Sequence, residues 1–334
     1  MLLVAGMDAD SDATPGEPPS EASLHRPVLL HELIQHLQPA DGQTAVDGTL
    51  GGGGLTAALL ARVGPSGRVL SLDRDPVAVV RARSRFAGAG DRLHLVRGDF
   101  ADIERISAEH GIDAVDTVAL DLGLSSEQLA DPGRGFSFRL DGPLDMRMDP
   151  EEDVPTAADI VNGWDEADLA ALLRGYGEER FAPAIARAIV RARGRAPLRT
   201  TAELRNLVEA AVPRRHWPRR IHPATRTFQA LRIQVNHELE SLRQGLQAAI
   251  TLLRPGGRIG VISFHSLEDT LVKNTLHVAA LNCLCPPQQP YCTCAHRASL
   301  LVLTRKPVTP GPAEIGENPR SRSARLRVAE KLAP

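Results

Sequence analysis

Three aspartates stand at the ends of short apolar runs, where a carboxylate could bind a small molecule. Asp47 precedes the glycine loop, residues 48–54, where the lack of Cβ atoms lets a bound cofactor approach the backbone. Asp73 lies nineteen residues after Gly54, a position from which a carboxylate can accept hydrogen bonds from both ribose hydroxyls. Asp121 ends a later run, at the rim where a reacting group would lie. The spacing therefore predicts a nucleoside cofactor.

Two cofactor classes fit this pattern, a nicotinamide dinucleotide and S-adenosylmethionine. A G-x-G-x-x-G motif from Gly51 would need glycine at position 56, which Thr56 occupies. The pyrophosphate motif is therefore incomplete, whereas the acids before and after the loop suit a cationic sulfonium nucleoside. Asp99 and Phe100 follow the third run and could flank an adenine. The remaining alternative is an inert α/β domain with turn glycines and strand-end acids.

The elements that must position these residues alternate between short strand-like runs and helix-length segments. This alternation predicts a doubly wound α/β sheet with helices on both faces. The strand pattern stops near residue 131 and resumes after residue 221. We therefore expect a sheet domain from residues 24–130 and 222–334 and an inserted, mostly helical substrate-recognition domain over 131–221. The acidic segment 1–23, with three prolines and no basic residue, is expected to be a disordered tail.

Three further segments have recognisable patterns. Residues 228–253 repeat apolar side chains every three or four positions, which predicts one long amphipathic helix. Thr200 and Glu203 form a capping box before another helix. The runs LLVLTRKPV and ARLRVAEKL predict two closing strands.

Composition excludes collagen-like, fibrous and mostly disordered proteins, since 43% of residues are hydrophobic and 24% are charged. A net charge of -2 gives no overall positive field. Charge is nevertheless segregated, with a balance of -9 over residues 145–179 and of +10 over 184–232. The second segment suits a polyanion, although two helix faces that attract each other would also fit. Because no apolar stretch approaches the ~20 residues of a membrane span and no signal peptide is recognisable, we expect a soluble cytoplasmic protein without membrane contact.

All four cysteines lie in one segment, as the pairs Cys283 and Cys285, then Cys292 and Cys294. Four thiolates could hold zinc, but C-x-C is tighter than the common C-x-x-C motif. We expect free thiols in a reducing compartment and no metal.

Longer motifs are much more specific than the glycine loop. They are HRPVLLHEL at 25–33, VDGTLGGGG at 46–54, LDRDP at 72–76, LDLGLSSEQL at 120–129, RGFSFRLDGPLDMRMDP at 134–150, YGEERFAPAIARAIV at 176–190, HPATRTFQALRIQVNHELE at 222–240, ISFHSLED at 262–269 and ENPRSRSARLR at 317–327. With these motifs in order along nearly the whole chain, the sequence closely resembles the bacterial 16S rRNA (cytosine-N4)-methyltransferases of the RsmH/MraW type.

The resemblance implies a Rossmann-like class I methyltransferase sheet with an inserted helical domain. It also implies methyl transfer from S-adenosylmethionine to N4 of a cytidine in the decoding region, with 16S rRNA or the small ribosomal subunit as partner; the oligomeric state, a homodimer included, stays open. The implied cofactor contacts are Gly53, Gly54, Leu55, Asp73, Phe100, Asp121 and Gln128. Leu55 departs from the histidine of most members, which puts a side-chain contact there in doubt.

A cytosine amino group is a poor nucleophile, so the site must orient it and accept its proton. Asp121 is the first candidate for this role, and Asp141 and Asp145 are further acceptor candidates. A helix cap or a purely cofactor-binding acid is the alternative for Asp121, and a salt-bridged structural loop is the alternative for the other two.

The 135–149 loop is expected to act as a flap over a flipped base. It offers hinges, stacking faces and donors: Gly135 and Gly142, Phe136 and Phe138, Arg139 and Arg147. Arg226 could contact phosphate, and His265 and Ser266 follow the fifth strand at the active edge, although His265 could equally be a core or capping residue.

Three alternatives remain. The substrate could be DNA or another RNA, with the same amino-methyltransferase chemistry. A non-catalytic nucleoside-binding module in ribosome assembly is a second alternative, disfavoured by the three strand-end aspartates. A nicotinamide oxidoreductase is the third, disfavoured by Thr56.

Overall fold

A computed structural model describes residues 27–218, 221–286, 288–289 and 291–333. The predicted acidic tail, residues 1–23, lies outside these described residues. Seven strands form one sheet: β1 (Thr44–Asp47), β2 (Arg68–Asp73), β3 (Leu93–Arg97), β4 (Val115–Asp121), β5 (Leu253–Ser263), β6 (Leu300–Val302) and β7 (Arg325–Lys331). The strand order is β3-β2-β1-β4-β5-β7-β6; β7 pairs antiparallel with β5 and β6, and all the other pairs are parallel. The predicted doubly wound sheet and its two closing strands are confirmed.

The strand order reverses at β1, with β2 and β3 on one side and β4 on the other. In open α/β sheets, ligands bind at such a reversal, beyond the carboxyl ends of the strands. Asp47 ends β1 and pairs in register with Ala119, so Asp121 lies two residues farther along β4. The sheet thereby brings both carboxylates to one edge.

Helices cover both faces of the sheet and also form a separate layer. They are α1 (Leu30–Leu37), α2 (Gly54–Val63), α3 (Pro76–Arg85), α4 (Ile103–Glu109), α5 (Ser126–Ala130), α6 (Ala157–Gly163), α7 (Glu166–Gly175), α8 (Ala182–Arg193), α9 (Thr201–Ala211), α10 (Thr225–Asn236), α11 (Glu238–Leu252), α12 (Ser266–Ala279) and α13 (Pro312–Glu317). α1 and α2 pack on one face of the sheet, and α4, α11 and α12 pack on the other. Among the described helices, none is both long enough and apolar enough to cross a membrane.

Helices α6–α10, the helical layer, bury their apolar faces against one another. The capping box of Thr200 and Glu203 opens α9, as expected from the sequence. Phe228, Leu231 and Val235 of α10 belong to the same apolar cluster. The packing of the layer therefore continues past residue 221, where the sequence analysis ends the inserted domain.

The predicted long helix over residues 228–253 is wrong, because the chain turns at His237. This residue has φ 51° and ψ 34°, and it both ends α10 and precedes α11. The apolar periodicity continues across the turn, but α10 packs in the helical layer whereas α11 packs against the sheet. Two helices that serve two cores cannot share one straight axis.

The 135–149 loop is packed tightly and does not have the features of a hinged flap. Phe136 is only 6% exposed, in the apolar cluster of the helical layer. Asn236 fastens the loop, since its Oδ1 accepts from Met148 N at 2.7 Å and its Nδ2 donates to Met146 O at 2.8 Å. A Cβ on Gly142 would lie 1.8 Å from the backbone oxygen of Pro132. Glycine is needed here for close packing of two backbone segments.

The other predicted hinge is confined in the same way. A Cβ on Gly135, where φ is +71°, would lie 2.2 Å from the backbone oxygen of Pro143. Both glycines are confined by backbone contacts, so the expectation that they serve as open hinges is corrected, whereas movement of the loop over a base stays a prediction.

We expect Gly142→Ala to lower the free energy of unfolding by about 1–3 kcal/mol, because its Cβ must displace backbone atoms. Gly163→Ala is the matched control, since nothing lies within 4 Å of a Cβ built there. That control should be neutral or stabilising by less than about 1 kcal/mol. Denaturant unfolding of both variants against the parent chain measures the difference. Equal stability of the two variants would show that the loop yields as a flap does.

Candidate active site

Asp47 holds the two ends of the glycine loop through hydrogen bonds. Its carboxylate is fully buried and accepts from Thr49 N at 3.1 Å and from Thr56 Oγ1 at 2.7 Å. Thr56 Oγ1 also lies 2.9 Å from Ser71 Oγ on β2. Burial raises the pKa of Asp47 to about 6, although these hydrogen bonds oppose the rise. The threonine that breaks the pyrophosphate motif is therefore the partner that a buried aspartate requires.

The start of α2 supplies donors at the same edge. Gly53 precedes the helix with φ +75°, a left-handed conformation that favours glycine, and a Cβ there would lie 2.9 Å from Phe86 Cε2. Gly54 is the first helical residue, and no side chain caps this end. The first N–H groups of α2 can therefore donate to a ligand carboxylate.

Asp73 is already part of the loop structure. Its Oδ2 accepts from Gly51 N at 2.8 Å, and its Oδ1 accepts from Asp75 N at 2.9 Å. Burial raises its pKa to about 6. Because each carboxylate oxygen has two lone pairs, both can still accept from ribose hydroxyls. The geometry fits the predicted ribose contact, which stays a prediction.

Asp75 joins the cofactor edge to the 135–149 loop, and the sequence analysis missed it. Its Oδ2 accepts from Gln128 Nε2 at 3.0 Å and from Arg134 Nη1 at 2.7 Å. The other end of the Gln128 amide accepts from Ser125 N at 3.0 Å. Both ends of this amide have protein partners, so its cofactor contact stays a prediction. The Asp75-Pro76 start of α3 is a sequence signal for a helix cap, but it does not indicate these two partners.

Two carboxylate oxygens beside the glycine loop have no protein partner within the described residues. Asp121 Oδ1 and Glu127 Oε2 are both buried without a hydrogen bond. Burial, followed by repulsion from Asp47 and Glu268, raises the pKa of Asp121 to about 8. The Asp121 backbone N–H is satisfied separately, because it donates to Thr49 Oγ1 at 2.7 Å.

Glu127 was missed by the sequence analysis. Its Oε1 would lie 3.3 Å from a Cβ on Gly52, which places the carboxylate against the glycine loop. Buried carboxylates without a partner are costly to ionise, and a cation beside them would relieve that cost. These two acceptor oxygens therefore fit a cationic sulfonium nucleoside.

Leu55 and Phe100 pack against the protein itself. Leu55 is 3% exposed in the cluster of α1 and α2, so only its backbone can face a ligand. A backbone contact between Leu55 and the cofactor stays a prediction. Phe100 packs against α11, where a Cβ on Gly245 would lie 2.4 Å from its Cδ2. A contact between Phe100 and adenine stays a prediction.

The remaining acids of the 135–149 loop are engaged in structural contacts. Asp145 forms a bidentate pair with Arg147, at 2.9 Å from Nε and 2.8 Å from Nη2. Burial favours a higher pKa for Asp145, but the hydrogen bonds and charge of Arg147 hold it below its usual value. Asp141 is exposed, and hydrogen bonds from Ala202 N and Thr200 lower its pKa. Both acids have the geometry of structural residues, so their catalytic roles rest on the sequence alone.

The predicted substrate residues of the 135–149 loop differ in whether other protein groups already contact their side chains. Phe138 stacks on His222 with ring centroids 4.7 Å apart and meets Phe228 edge to face at 5.4 Å. Arg139 is exposed, and its guanidinium has no protein partner in the described part of the chain. Arg147 is held by Asp145, so Arg139 is the available donor.

Glu178, which the sequence analysis missed, contacts two other predicted substrate residues, Arg226 and Ser266. Its backbone oxygen accepts from Arg226 Nη1 at 3.0 Å, and its carboxylate accepts from Ser266 Oγ. His265 caps α12 beside them, with Nε2 3.1 Å from Glu268 Oε1. The structure thus groups Arg226, His265 and Ser266 but does not link Asp141 to them.

The ligand atoms of Glu238, His265 and Glu268 also lie within 4.8 Å of one another. Arg232 already pairs with Glu238 through Nε and Nη2, both at 2.8 Å. The charge and hydrogen bonds of His265 outweigh burial and lower the pKa of Glu268. Glu238 and Glu268 therefore already have protein partners, in Arg232 and His265.

Comparison with known proteins gives consistent matches over nearly the whole chain. A family model described as the MraW methylase family matches residues 22–332. A ribosomal RNA small subunit methyltransferase H of Thermomicrobium roseum is 53% identical over 312 residues, which are 93% of this chain and 95% of that protein. The protein of the same name from Geobacter sulfurreducens is 51% identical over 309 residues, 92% of this chain and 99% of that protein. The resemblance inferred from the sequence is confirmed, and the chain belongs to the MraW methylase family.

Proposed function

We propose that this chain transfers the methyl group of S-adenosylmethionine to the exocyclic N4 of a cytidine in the decoding region of 16S rRNA, in the cytoplasm. The family and the names of relatives at about half identity support an rRNA methyltransferase. The observation that carries the chemistry is the buried Oδ1 of Asp121, which has no partner in the described residues and lies at the strand-order reversal.

S-adenosylmethionine supplies the methyl group and a positive charge when bound. Asp121 accepts a hydrogen bond from the cytosine amino group and so orients its lone pair. Methyl transfer forms the N4–carbon bond and breaks the sulfur–carbon bond, and N4 loses one proton, which the carboxylate accepts. A neighbouring positive charge lowers the raised pKa of Asp121, so the group is ionised when the amino group arrives.

The exposed arginines of the helical layer suit an rRNA backbone. Arg191, Arg195 and Arg199 lie at the end of α8 and in the segment that follows, and they form no ion pair within the described residues. Arg139 presents another unpaired guanidinium from the 135–149 loop. Guanidinium groups bind phosphate in a bidentate manner, so these exposed arginines are candidate contacts for the phosphates of rRNA.

Incubation of the chain with labelled S-adenosylmethionine and purified small ribosomal subunits should place label in N4-methylcytidine. Asp121→Asn should lower turnover by about 100-fold or more, because it removes the proton acceptor. Its affinity for S-adenosylmethionine should fall much less than its turnover, by about tenfold, since one buried carboxylate is lost while Glu127, Asp73 and the glycine loop are kept. Nucleoside analysis and calorimetry measure the two quantities.

Asp102→Asn is the matched control for this experiment, because Asp102 is exposed and pairs only with Arg105 on the surface. It should keep both turnover and affinity. Equal losses of both quantities in Asp121→Asn would reduce Asp121 to a binding residue. Label in a different nucleoside would reject the substrate.

Stability without cofactor should depend on pH through Asp121. Burial raises its pKa from 3.8 to about 8, so between these values the folded chain holds a proton that the unfolded chain has released. Its contribution to stability therefore falls as pH rises, until about pH 8. Asp121→Asn cannot titrate and should gain roughly 1–2 kcal/mol relative to the parent from about pH 5 to about pH 8.5. The figure is discounted because Asp121 as a whole residue is only half-buried, although its Oδ1 is fully buried. Urea unfolding tests this; a constant difference would contradict it.

Glu127→Gln should weaken S-adenosylmethionine binding by about tenfold or more, because it removes a buried negative charge beside the glycine loop. Turnover at saturating cofactor should be largely kept, since the acceptor Asp121 is unchanged. Glu104→Gln on the exposed face of α4 removes the same charge far from the loop and should bind normally. Calorimetric titration compares the three chains, and parental affinity in Glu127→Gln would rule out the contact.

A further inference from the structure

The segment between α12 and β6 gathers all the thiols of the chain. The sulfurs of its four cysteines lie within 4.8 Å of one another, and we call them the cysteine cluster: Cys283, Cys285, Cys292 and Cys294. Cys292 Sγ lies 3.5 Å from Cys283 Sγ and 3.6 Å from Cys294 Sγ, and the sulfurs of Cys283 and Cys294 are 3.8 Å apart. The two C-x-C pairs approach from opposite arms of the segment, so their short spacing does not prevent all four sulfurs from meeting.

The three separations match one face of a tetrahedral metal site, and Cys285 Sγ, within 4.8 Å of the other three sulfurs, can supply the fourth corner. A disulfide would need about 2.05 Å between sulfurs, so the thiols are not bonded in pairs. Zinc binds thiolate sulfur at about 2.3 Å, and the edge of such a tetrahedron is about 3.8 Å. We propose that the cysteine cluster binds one structural Zn²⁺ through four thiolates, a site that revises the sequence expectation of free thiols.

Backbone donors already point at the sulfurs. Leu284 N donates to Cys294 Sγ at 3.3 Å, and Thr293 N donates to Cys285 Sγ at 3.4 Å. Cys285 N donates to Cys283 Sγ, also at 3.4 Å. Hydrogen bonds of this kind orient metal ligands and spread the negative charge of four thiolates.

His296 is the nearest alternative ligand, but it serves another purpose. Its Nε2 lies 3.0 Å from the backbone oxygen of Val278 near the end of α12. Ser299 N closes the base of the segment by donating to Ala279 O at 2.8 Å. Contacts with the end of α12 therefore hold His296 and Ser299, at the base of the segment. The four cysteines lie beyond them, at what we call the tip, residues 283–294.

Apolar packing does not explain the tip. Leu284 is 47% exposed and Tyr291 is 81% exposed, and neither belongs to a hydrophobic cluster of the described residues. A short segment without a core needs a metal or a covalent link to hold one conformation. A bound Zn²⁺ would supply that link.

The test uses the full chain without a histidine tag, expressed with zinc and purified in reducing, metal-free buffer. Elemental analysis should find one zinc per chain, and modification of the thiols with a mercurial should release it. The chain has no other cysteine, so every thiol signal reports on this site. Exchange into Co²⁺ should give the intense bands of a tetrahedral tetrathiolate. A chain that holds no metal after zinc addition, or a weak octahedral Co²⁺ spectrum, would overturn the proposal.

Single Cys→Ser variants at the four positions test the ligand set. Each should lose its zinc to a chelator that leaves the parent loaded. His296→Ala is the control and should keep the metal; loss there, or zinc retained in the Cys→Ser variants, would reject a four-thiolate site. Binding of S-adenosylmethionine should persist in all five variants, which shows that the sheet is folded and separates this result from the proposed function.

Discussion

The fold depends on keeping carboxylates out of water at one edge of a parallel sheet. A buried carboxylate is stable only with donors or a positive charge beside it, so each aspartate constrains the elements around it. Asp47 obtains its donors from Thr49 and Thr56, which fixes the glycine loop. Asp73 takes donors from the backbone of the same region. Asp121 and Glu127 each have one buried oxygen without a hydrogen bond in the described residues. A cationic ligand that paired with these oxygens would remove the cost of burying them unpaired.

The same edge is tied to the helical layer through polar contacts. Asp75 receives Arg134, and Arg134 Nη2 donates to Met148 O at 2.7 Å. Arg74 donates to the backbone oxygen of Asn236 at 2.7 Å. The residues that follow β2 therefore contact both the carboxyl edge of the sheet and the 135–149 loop. Because these few side chains are shared, the edge and the loop form one structural unit.

Local pattern and chemistry predicted much of this from the sequence. Short apolar runs predicted the strands. Asp47, Asp73 and Asp121 could be predicted to lie together because they end three of these runs, and the carboxyl ends of parallel strands meet at one edge. Glu127 could not be found that way, since a helical glutamate beside serines has no pattern that marks it as buried. The roles of Gly142 and Asp75 depend on contacts with residues distant in the chain, and spacing does not encode such contacts.

The break between α10 and α11 was also missed because it depends on contacts distant in the chain. Apolar periodicity shows that a helix face is buried, but not which core buries it. The turn at His237 joins a helix of one core to a helix of the other. The bidentate pair of Arg232 and Glu238 spans this junction. The two helices face different cores, so this ion pair couples the position of the helical layer to that of the sheet. A change at either the carboxylate or the guanidinium would therefore be felt in both cores.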